Sequence, residues 1–428
     1  MQSSLVEKDK QFIWHPFTPL QSSPDPIPIV RGEGIYLIDE QGNRYIDGIS
    51  SWWVNIHGHA HPYIAKKIYE QALQLEQVIF AGFTHPPAVE LAERLLGILP
   101  QGFSKIFYSD NGSTSTEVAI KMALQFWWNK ADNNVAKKRN KVLAFNNAYH
   151  GDTFGAMSVS DRSVFTKAFH DHLFEVIFID TPTVENLAES RKIIAEHSSD
   201  IAAFIYEPLL QGAGGMKMYD ASAMDELLKS IQEEGIICIA DEVMTGFGRT
   251  GKLFASEYMI NKPDIICLSK GLTGGTMALG VTACSQKIVD AFISDDKLKT
   301  FFHGHSFTAN PIACASAIAS MDLLEKETCF SAIQNIVRSH DLFVAELKSQ
   351  YSKVKNARQL GTIMAFEIDN GKDEYLNNIS RTITAQLLKK GVYLRPLGNT
   401  VYIMPPYCIS TEELQKIYAA IVDMLNDF

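Results

Sequence analysis

Short runs of apolar residues alternate with amphipathic segments through the middle of the chain. Each run is five or six residues long and leads into polar or turn-forming residues, which is typical of strands buried on both faces of a sheet. These runs cover residues 141–145, 201–206, 236–240 and 265–269. Segments with helical periodicity, such as residues 223–234, lie between them. The alternation from about 105 to 285 predicts an α/β fold with a doubly wound, mostly parallel sheet.

The two ends of the chain follow other patterns. Residues 11–30 are rich in aromatics and proline, which predicts an extended arm, and residues 35–47 have the pattern of a hairpin. Beyond residue 361, strands and helices mix over shorter distances, which predicts a smaller α+β domain. The expected divisions are an N-terminal arm and hairpin packing with the small domain (1–58), a large domain (59–325) and a C-terminal small domain (326–428).

Two of the predicted strands lead into charged residues. The run at 236–240 is followed by Asp241, and the run at 265–269 by Lys270 and a glycine-rich segment. Because ligands bind at the carboxyl ends of the strands in an open α/β sheet, we expect both side chains at a binding site. They could instead be solvated loop residues or a structural ion pair.

A lysine at such a site has a definite chemistry. Burial disfavours its ammonium form, and the neutral amine that results can form a Schiff base with a carbonyl compound. Pyridoxal phosphate is a carbonyl cofactor that needs this lysine, and its ring nitrogen needs an acidic partner, for which Asp241 is the candidate. The sequence therefore favours a pyridoxal phosphate site at this edge of the sheet.

Further segments suit parts of such a site. An apolar strand gives way to Gly112 and Ser113 and then to a helical pattern, and a helix N-terminus suits a phosphate, although a plain N-cap at Ser113 would give the same pattern. Tyr149 follows another predicted strand and could stack on a flat ring. Arg395 follows a short apolar strand and could hold a carboxylate with two donors, but a lone arginine is more often a surface charge.

Other motifs in the chain are incomplete. Residues 246–252 satisfy a phosphate-loop pattern, but Leu253 stands where that pattern needs a serine or threonine to reach magnesium. The overlapping dinucleotide pattern lacks a helix that opens on its glycines. Three histidines lie within residues 57–61, but the glycine and proline around them argue for a loop, and no neighbouring ligand completes a set. We therefore expect neither a nucleotide site nor a metal.

Composition narrows the class of protein. Among 428 residues, 39 lysines and arginines stand against 49 aspartates and glutamates, and the net charge of −10 argues against nucleic-acid or anionic-membrane binding. The six cysteines show no C-x-x-C spacing, so we expect reduced thiols. No apolar signal core or bilayer-length apolar run occurs. We expect a cytoplasmic protein whose partners are small molecules or other protein chains.

The candidate cofactor residues occur in the order seen in the class III, fold-type I aminotransferases, which the chain resembles. The motifs similar to that family, and especially to its members in biotin biosynthesis, are WHPFT at 14–18, SSWW at 50–53, YHGDTFGAM at 149–157, QGAGGM at 211–216, residues 246–254, LTGGTM at 272–277 and MPPY at 404–407. The resemblance covers nearly the whole chain. It implies a ping-pong transfer of an amino group from S-adenosylmethionine to 8-amino-7-oxononanoate.

The resemblance also implies a role for each site residue. The implied catalytic residues are Lys270, Asp241, Tyr149 and Phe17, the implied cofactor residues are Gly112, Ser113, Tyr149, Asp241, Lys270, His305 and Ser306, and the implied substrate residues are Trp52, Tyr149, Lys270, Gly304, Arg395 and Phe17. Of these, His305 and Ser306 would reach the phosphate in the partner subunit, which implies a homodimer with its site at the interface. Arg395 would hold the keto acid's carboxylate, and Trp52 would pack against its apolar chain.

The chain departs from the family pattern in two segments. The family often has tyrosine where this chain has Phe17, and proline-threonine where it has His305 and Ser306. Ser306 keeps a hydroxyl for the phosphate, whereas Phe17 lacks one that would face bound ligand. The donor could therefore be lysine, or the enzyme could be another class III aminotransferase acting on an ω-amino acid, which should not need the Trp52-Trp53 pair. A non-enzymatic scaffold would be expected to lack the lysine or the acid, and both are present.

Overall fold

The computed structural model of the protein describes residues 4–131, 139–369 and 379–427. Its strands are β1 (Ile29–Glu33), β2 (Tyr36–Asp39), β3 (Arg44–Asp47), β4 (Phe103–Ser109), β5 (Lys141–Phe145), β6 (Val176–Ile179), β7 (Ile201–Tyr206), β8 (Leu210–Gln211), β9 (Lys217–Met218), β10 (Ile237–Asp241), β11 (Ile265–Leu268), β12 (Gly280–Ser285), β13 (Val354–Leu360), β14 (Ile363–Ile368), β15 (Val392–Tyr393) and β16 (Thr400–Ile403). Its helical segments are α1 (Leu5–Phe12), α2 (Ser50–Trp53), α3 (Pro62–Ala72), α4 (Pro86–Ile98), α5 (Gly112–Lys130), α6 (Phe154–Val159), α7 (Leu187–His197), α8 (Ala221–Glu233), α9 (Gln286–Asp290), α10 (Pro311–Leu324), α11 (Glu327–Gln350), α12 (Ile379–Lys389) and α13 (Thr411–Asp427). Short 3₁₀ turns cover Lys167–His172, Ala255–Tyr258, Lys270–Thr273 and Lys297–Lys299.

The largest sheet has seven strands in the order β4-β12-β11-β10-β7-β5-β6. Strand β12 runs antiparallel to both of its neighbours, and the pairs from β11 to β6 are parallel. Alternate residues of β10 pack on opposite faces, because Ile237 and Ile239 join the core around α5 while Cys238 and Ala240 join the core that includes α8. The predicted doubly wound, mostly parallel sheet is therefore confirmed.

Smaller sheets bring the two ends of the chain together. Strands β1, β2 and β3 form an antiparallel set, and β15 adds to β3 in parallel with Val392 opposite Ile46. Strands β13, β14 and β16 form a separate antiparallel sheet. Met404 follows β16, and its backbone N–H donates to the carbonyl of Gly48 at 2.8 Å. The N-terminal hairpin is thus tied to C-terminal strands. The exact domain boundaries stay a prediction.

The segment Ser50–Trp53 is a left-handed turn built without glycine. Its four residues have φ values between 44° and 76°. Because this conformation costs an L residue about 1–2 kcal/mol, other contacts must hold it. The hydroxyl of Ser50 donates to the carbonyl of Met404 at 2.7 Å, and the hydroxyl of Ser51 donates to Oδ2 of Asp47 at 2.7 Å. The turn buries Trp53 and leaves Trp52 partly exposed.

Two of the three histidines at 57–61 have side-chain hydrogen-bond partners. Nε2 of His57 is 3.0 Å from the hydroxyl of Ser320, and Nε2 of His59 is 2.9 Å from Oδ2 of Asp47. All six cysteines are free thiols, and four of them are buried. Over residues 4–131, 139–369 and 379–427, no helix is both long and apolar enough to cross a bilayer.

Candidate active site

The carboxyl ends of three neighbouring strands carry ionisable side chains. Glu207 is the first residue after β7, Asp241 is the last residue of β10, and Lys270 is the second residue after β11. Both carboxylates are buried, and Lys270 keeps part of its surface open. All three line one cavity of about 710 Å³, whose wall also includes residues 110–113 and 149–153. The structure therefore brings the two charges predicted from the strand ends into one site.

The Lys270 amine is adapted to act as a base or nucleophile. Burial lowers its pKa to about 8 by disfavouring the ammonium, although the charges of Asp241 and Glu207 oppose that shift. At pH 7 a pKa of about 8 leaves roughly one amine in ten neutral, far more than for an ordinary lysine. Such an amine can attack a carbonyl and exchange protons near neutral pH.

Asp241 is held by groups on both of its oxygens. Nδ1 of His150 lies 2.7 Å from its Oδ2, and the backbone N–H of Val243 donates to Oδ1 at 3.1 Å. His150 is itself buried. A carboxylate fixed in this way presents negative charge to the cavity without having to reorganise, which suits a cationic ring nitrogen.

Glu207 is a site residue that the sequence reasoning missed. Burial raises its pKa to about 7, and the charge of Asp241 adds to the rise. Its oxygens accept from the backbone N–H groups of Tyr149 at 3.1 Å and Gly212 at 2.9 Å. The signal was available, because Glu207 follows a predicted strand just as Asp241 does. His150, beside Tyr149, was also missed, and its sequence position gives no sign of the contact with Asp241.

The start of α5 fits a phosphate. Asn111 is the N-cap, with its Oδ1 accepting from the N–H of Thr114 at 3.0 Å, so the alternative in which Ser113 is the cap is wrong. The first N–H groups of a helix have no intrahelical acceptor. At Gly112 an added Cβ would lie 2.7 Å from Cγ1 of Val243, so only glycine lets the chain come this close. Gly112 and Ser113 both line the cavity.

Tyr149 lines the same cavity. Burial raises the pKa of its phenol well above the usual value, and the nearby Asp152 adds to the rise. The phenol therefore stays protonated and can donate a hydrogen bond at any pH near neutral. Its position beside the carboxylates and the lysine suits the predicted role as a platform for a flat ring.

A second cluster adjoins the cavity through the left-handed turn. The rings of Phe17 and Trp52 meet edge to face with centroids 5.3 Å apart, and Cζ of Arg395 lies 4.8 Å from the centroid of Trp52. All three were predicted to contact substrate, and the structure groups them. The cavity wall itself includes the neighbouring Trp53 rather than Trp52.

The loop that carries Gly304, His305 and Ser306 is placed elsewhere. None of these three is part of the cavity wall that the described residues form. The carbonyl of Ser306 accepts from Nε2 of Gln77 at 2.6 Å, and the N–H of His305 donates to the hydroxyl of Thr308 at 3.0 Å. A single chain therefore does not bring these residues to Lys270.

The chain belongs to the class III aminotransferase family, whose model matches residues 18–425. A relative from Synechococcus elongatus, named adenosylmethionine-8-amino-7-oxononanoate aminotransferase, is 47% identical to this chain over an alignment of 426 positions. The alignment covers 97% of this chain and 98% of the relative. A protein of the same name from Methanocaldococcus jannaschii, known from a crystal structure, shares 34% sequence identity with this chain. The two structures superpose with a TM-score of 0.92, and the match covers 98% of both chains. An amine transaminase from an uncultivated Pseudomonas species, solved in a PLP-bound form, is 29% identical with a TM-score of 0.89 over 97% of this chain and 98% of its own. The family resemblance drawn from the motifs is confirmed.

Proposed function

We propose that the protein is a pyridoxal phosphate-dependent transaminase of biotin biosynthesis. It would transfer an amino group from S-adenosylmethionine to 8-amino-7-oxononanoate and release 7,8-diaminononanoate. The observation that carries the proposal is the convergence of Lys270, Asp241 and the start of α5 on one cavity. The choice of substrates is supported by the names of the relatives that match nearly the whole chain.

The residues present fit pyridoxal phosphate. Lys270 would hold its aldehyde carbon, Gly112 and Ser113 its phosphate, Asp241 its ring nitrogen and Tyr149 one face of its ring. When bound, the cofactor supplies a carbonyl that captures amines and a ring that accepts the electron pair left when a substrate carbon loses its proton.

The chain's own residues would carry out the proton transfers. The neutral amine of Lys270 takes the proton from the substrate's amino-bearing carbon and later returns one, so that the donor half-reaction and the keto-acid half-reaction use the same base. The buried Asp241 carboxylate would keep the cofactor's ring nitrogen protonated. The burial of Asp241 strengthens its interaction with a cation, because less water screens the charge.

Arg395 is proposed to hold the carboxylate of 8-amino-7-oxononanoate. Cζ of its guanidinium lies 4.8 Å from the centroid of the Trp52 ring, a contact that restrains the donor fork. The indole would then pack against the substrate's apolar chain. Loss of this contact should cost on the order of 2–4 kcal/mol of binding free energy for the keto acid. Arg395→Ala should therefore raise the KM for the keto acid by roughly 30-fold to 1000-fold and change the donor half-reaction much less. Stopped-flow measurement of each half-reaction separates the two effects.

Arg395→Lys is the matched control, because it keeps the charge and loses the two-donor geometry. We expect its KM to fall between those of the alanine variant and the wild type. Equal damage to both half-reactions in Arg395→Ala would point instead to a structural role for the stacked pair.

Phe17 bears on the identity of the donor. A missing hydrogen bond to a substrate group costs about 0.5–1.5 kcal/mol, which adenosylmethionine could tolerate as donor. We expect adenosylmethionine to convert the bound aldehyde to pyridoxamine phosphate in a single turnover, and Phe17→Tyr to strengthen donor binding by up to about tenfold. Conversion by lysine and not by adenosylmethionine would overturn the donor, and conversion by ω-amino acids without use of the keto acid would favour the alternative aminotransferase.

We also propose that the site is completed in a homodimer. Gly304, His305 and Ser306 would reach the phosphate and substrate of the partner subunit, because they lie outside the cavity of their own chain. Phe302 and Phe307 on the same loop are 73% and 62% exposed, which suits a surface covered by a second copy. A sedimenting mass of one chain at the concentration of the activity assay would contradict this proposal.

A further inference from the structure

Trp53 lies against the reactive amine. Nζ of Lys270 is 4.5 Å from the centroid of the Trp53 ring, within the range over which an aromatic face attracts a cation. The indole is only 4% exposed and lines the cavity. Attraction of this kind is stronger where the groups are desolvated, and Trp53 is buried.

The Trp53 ring is fixed from more than one side. Its Nε1 donates to the hydroxyl of Tyr402 at 3.0 Å, and the two rings meet edge to face. The backbone of Trp53 is held at a φ of 76° in the left-handed turn, and its carbonyl accepts from the buried guanidinium of Arg249 at 3.4 Å. Strain at a non-glycine residue persists only where surrounding contacts over-determine it, and such residues cluster at functional sites.

Three charged side chains act on the Lys270 ammonium in addition to the Trp53 ring. The carboxylates of Asp241 and Glu207 attract the Lys270 ammonium, and the guanidinium of Arg249 repels it. Asp241 is proposed to serve the cofactor's ring nitrogen, so its charge is shared. The face of Trp53 offers attraction without a formal charge and without a proton of its own to exchange.

We propose that Trp53 is a positioning residue for the transfer reaction, whose ring face holds the Lys270 amine beside the substrate carbon and stabilises the ammonium as it forms. This inference rests on the proposed function. In the step concerned, the C–H bond of the substrate carbon breaks, its proton forms a new N–H bond on Lys270, and its electron pair stays with the cofactor-bound substrate. The ring therefore interacts more strongly with the product of the step than with its reactant.

The test measures the protonation of Lys270 directly. The protein is loaded directly with pyridoxamine phosphate in place of pyridoxal phosphate, so that Lys270 is not bound to the cofactor. The pH dependence of labelling by an amine-selective reagent is then read at Lys270 by peptide mass spectrometry. Tetrafluorotryptophan placed at Trp53 keeps the shape and the N–H group but cancels most of the ring's attraction for a cation. The labelling midpoint should fall by about one pH unit, equivalent to about 1.4 kcal/mol, and the proton-transfer step should slow about tenfold.

The adjacent indole supplies a matched control. Tetrafluorotryptophan at Trp52, which faces Arg395 rather than Lys270, should leave the labelling midpoint of Lys270 unchanged. An unchanged midpoint with the fluorinated residue at Trp53, or an equal fall with it at Trp52, would overturn the proposal. The midpoint requires no amino donor or keto acid, so it can be read even if the proposed substrates are wrong.

Discussion

Replacing Lys270 with alanine should abolish amino-group transfer and remove the absorption band of lysine-bound pyridoxal phosphate. The side chain is proposed both to hold the cofactor and to move the proton, and the proton transfer alone is commonly worth about 10²–10⁴-fold. Its pKa of about 8 makes the neutral amine available near pH 7, which an ordinary exposed lysine is not. Single-turnover kinetics and the absorbance spectrum, with and without borohydride, measure the two losses separately.

Lys252→Ala is a suitable control for the lysine experiment. Lys252 is exposed and belongs to the incomplete phosphate-loop pattern, so its loss should leave transfer and spectrum unchanged. A Lys270→Ala protein that kept transfer within about tenfold of wild type would contradict the assignment, since less than about 1.4 kcal/mol of barrier would then depend on this amine.

The part of the site that the sequence could predict is the part that lies at the carboxyl ends of strands. The rule that ligands bind there identified Asp241 and Lys270, because each directly follows an apolar run whose burial on both faces is dictated by composition. The same rule applies to Glu207, which was read only as the end of a strand before a proline. Its pKa near 7 depends on burial and on the charge of Asp241, and neither is visible along the chain.

The left-handed turn shows why other features could not be predicted. Local preference disfavours positive φ at serine and tryptophan, and the sequence showed only a break in pattern at Ser50–Trp53. What holds the turn is tertiary, since the acceptor for the Ser50 hydroxyl is the carbonyl of Met404, 354 residues away. The placement of Trp53 against Lys270 follows from that contact and not from the local sequence.

The N-terminal arm shows a smaller difference of the same kind. The extended segment is predicted over residues 11–30, and only its first two residues belong to a helix, α1, in which no residue is buried. A capping box between Ser4 and Glu7 stabilises that helix locally.

Asp241→Asn should leave the chain folded and lower transfer by about 10²–10³-fold. The amide keeps the size of the side chain and a partner for His150, but it cannot hold a protonated ring nitrogen by charge, and preorganised electrostatic contacts of this kind are worth about 3 kcal/mol. A second consequence concerns Lys270. The carboxylate of Asp241 raises the pKa of that lysine, so its removal should move the pKa from about 8 to a lower value.

Asp264→Asn is the matched control for Asp241→Asn, because it removes a buried carboxylate from the opposite edge of the same sheet. Asp264 precedes β11 and accepts from the N–H of Cys238 at 2.9 Å and from Nζ of Lys287 at 3.0 Å. Its loss should lower the melting temperature without a matching loss of transfer. If Asp241→Asn retained transfer within about twofold of wild type, which is only about 0.4 kcal/mol, Asp241 would not be the partner of the ring nitrogen. If the labelling midpoint of Lys270 did not fall, the carboxylate of Asp241 would not raise the pKa of that lysine.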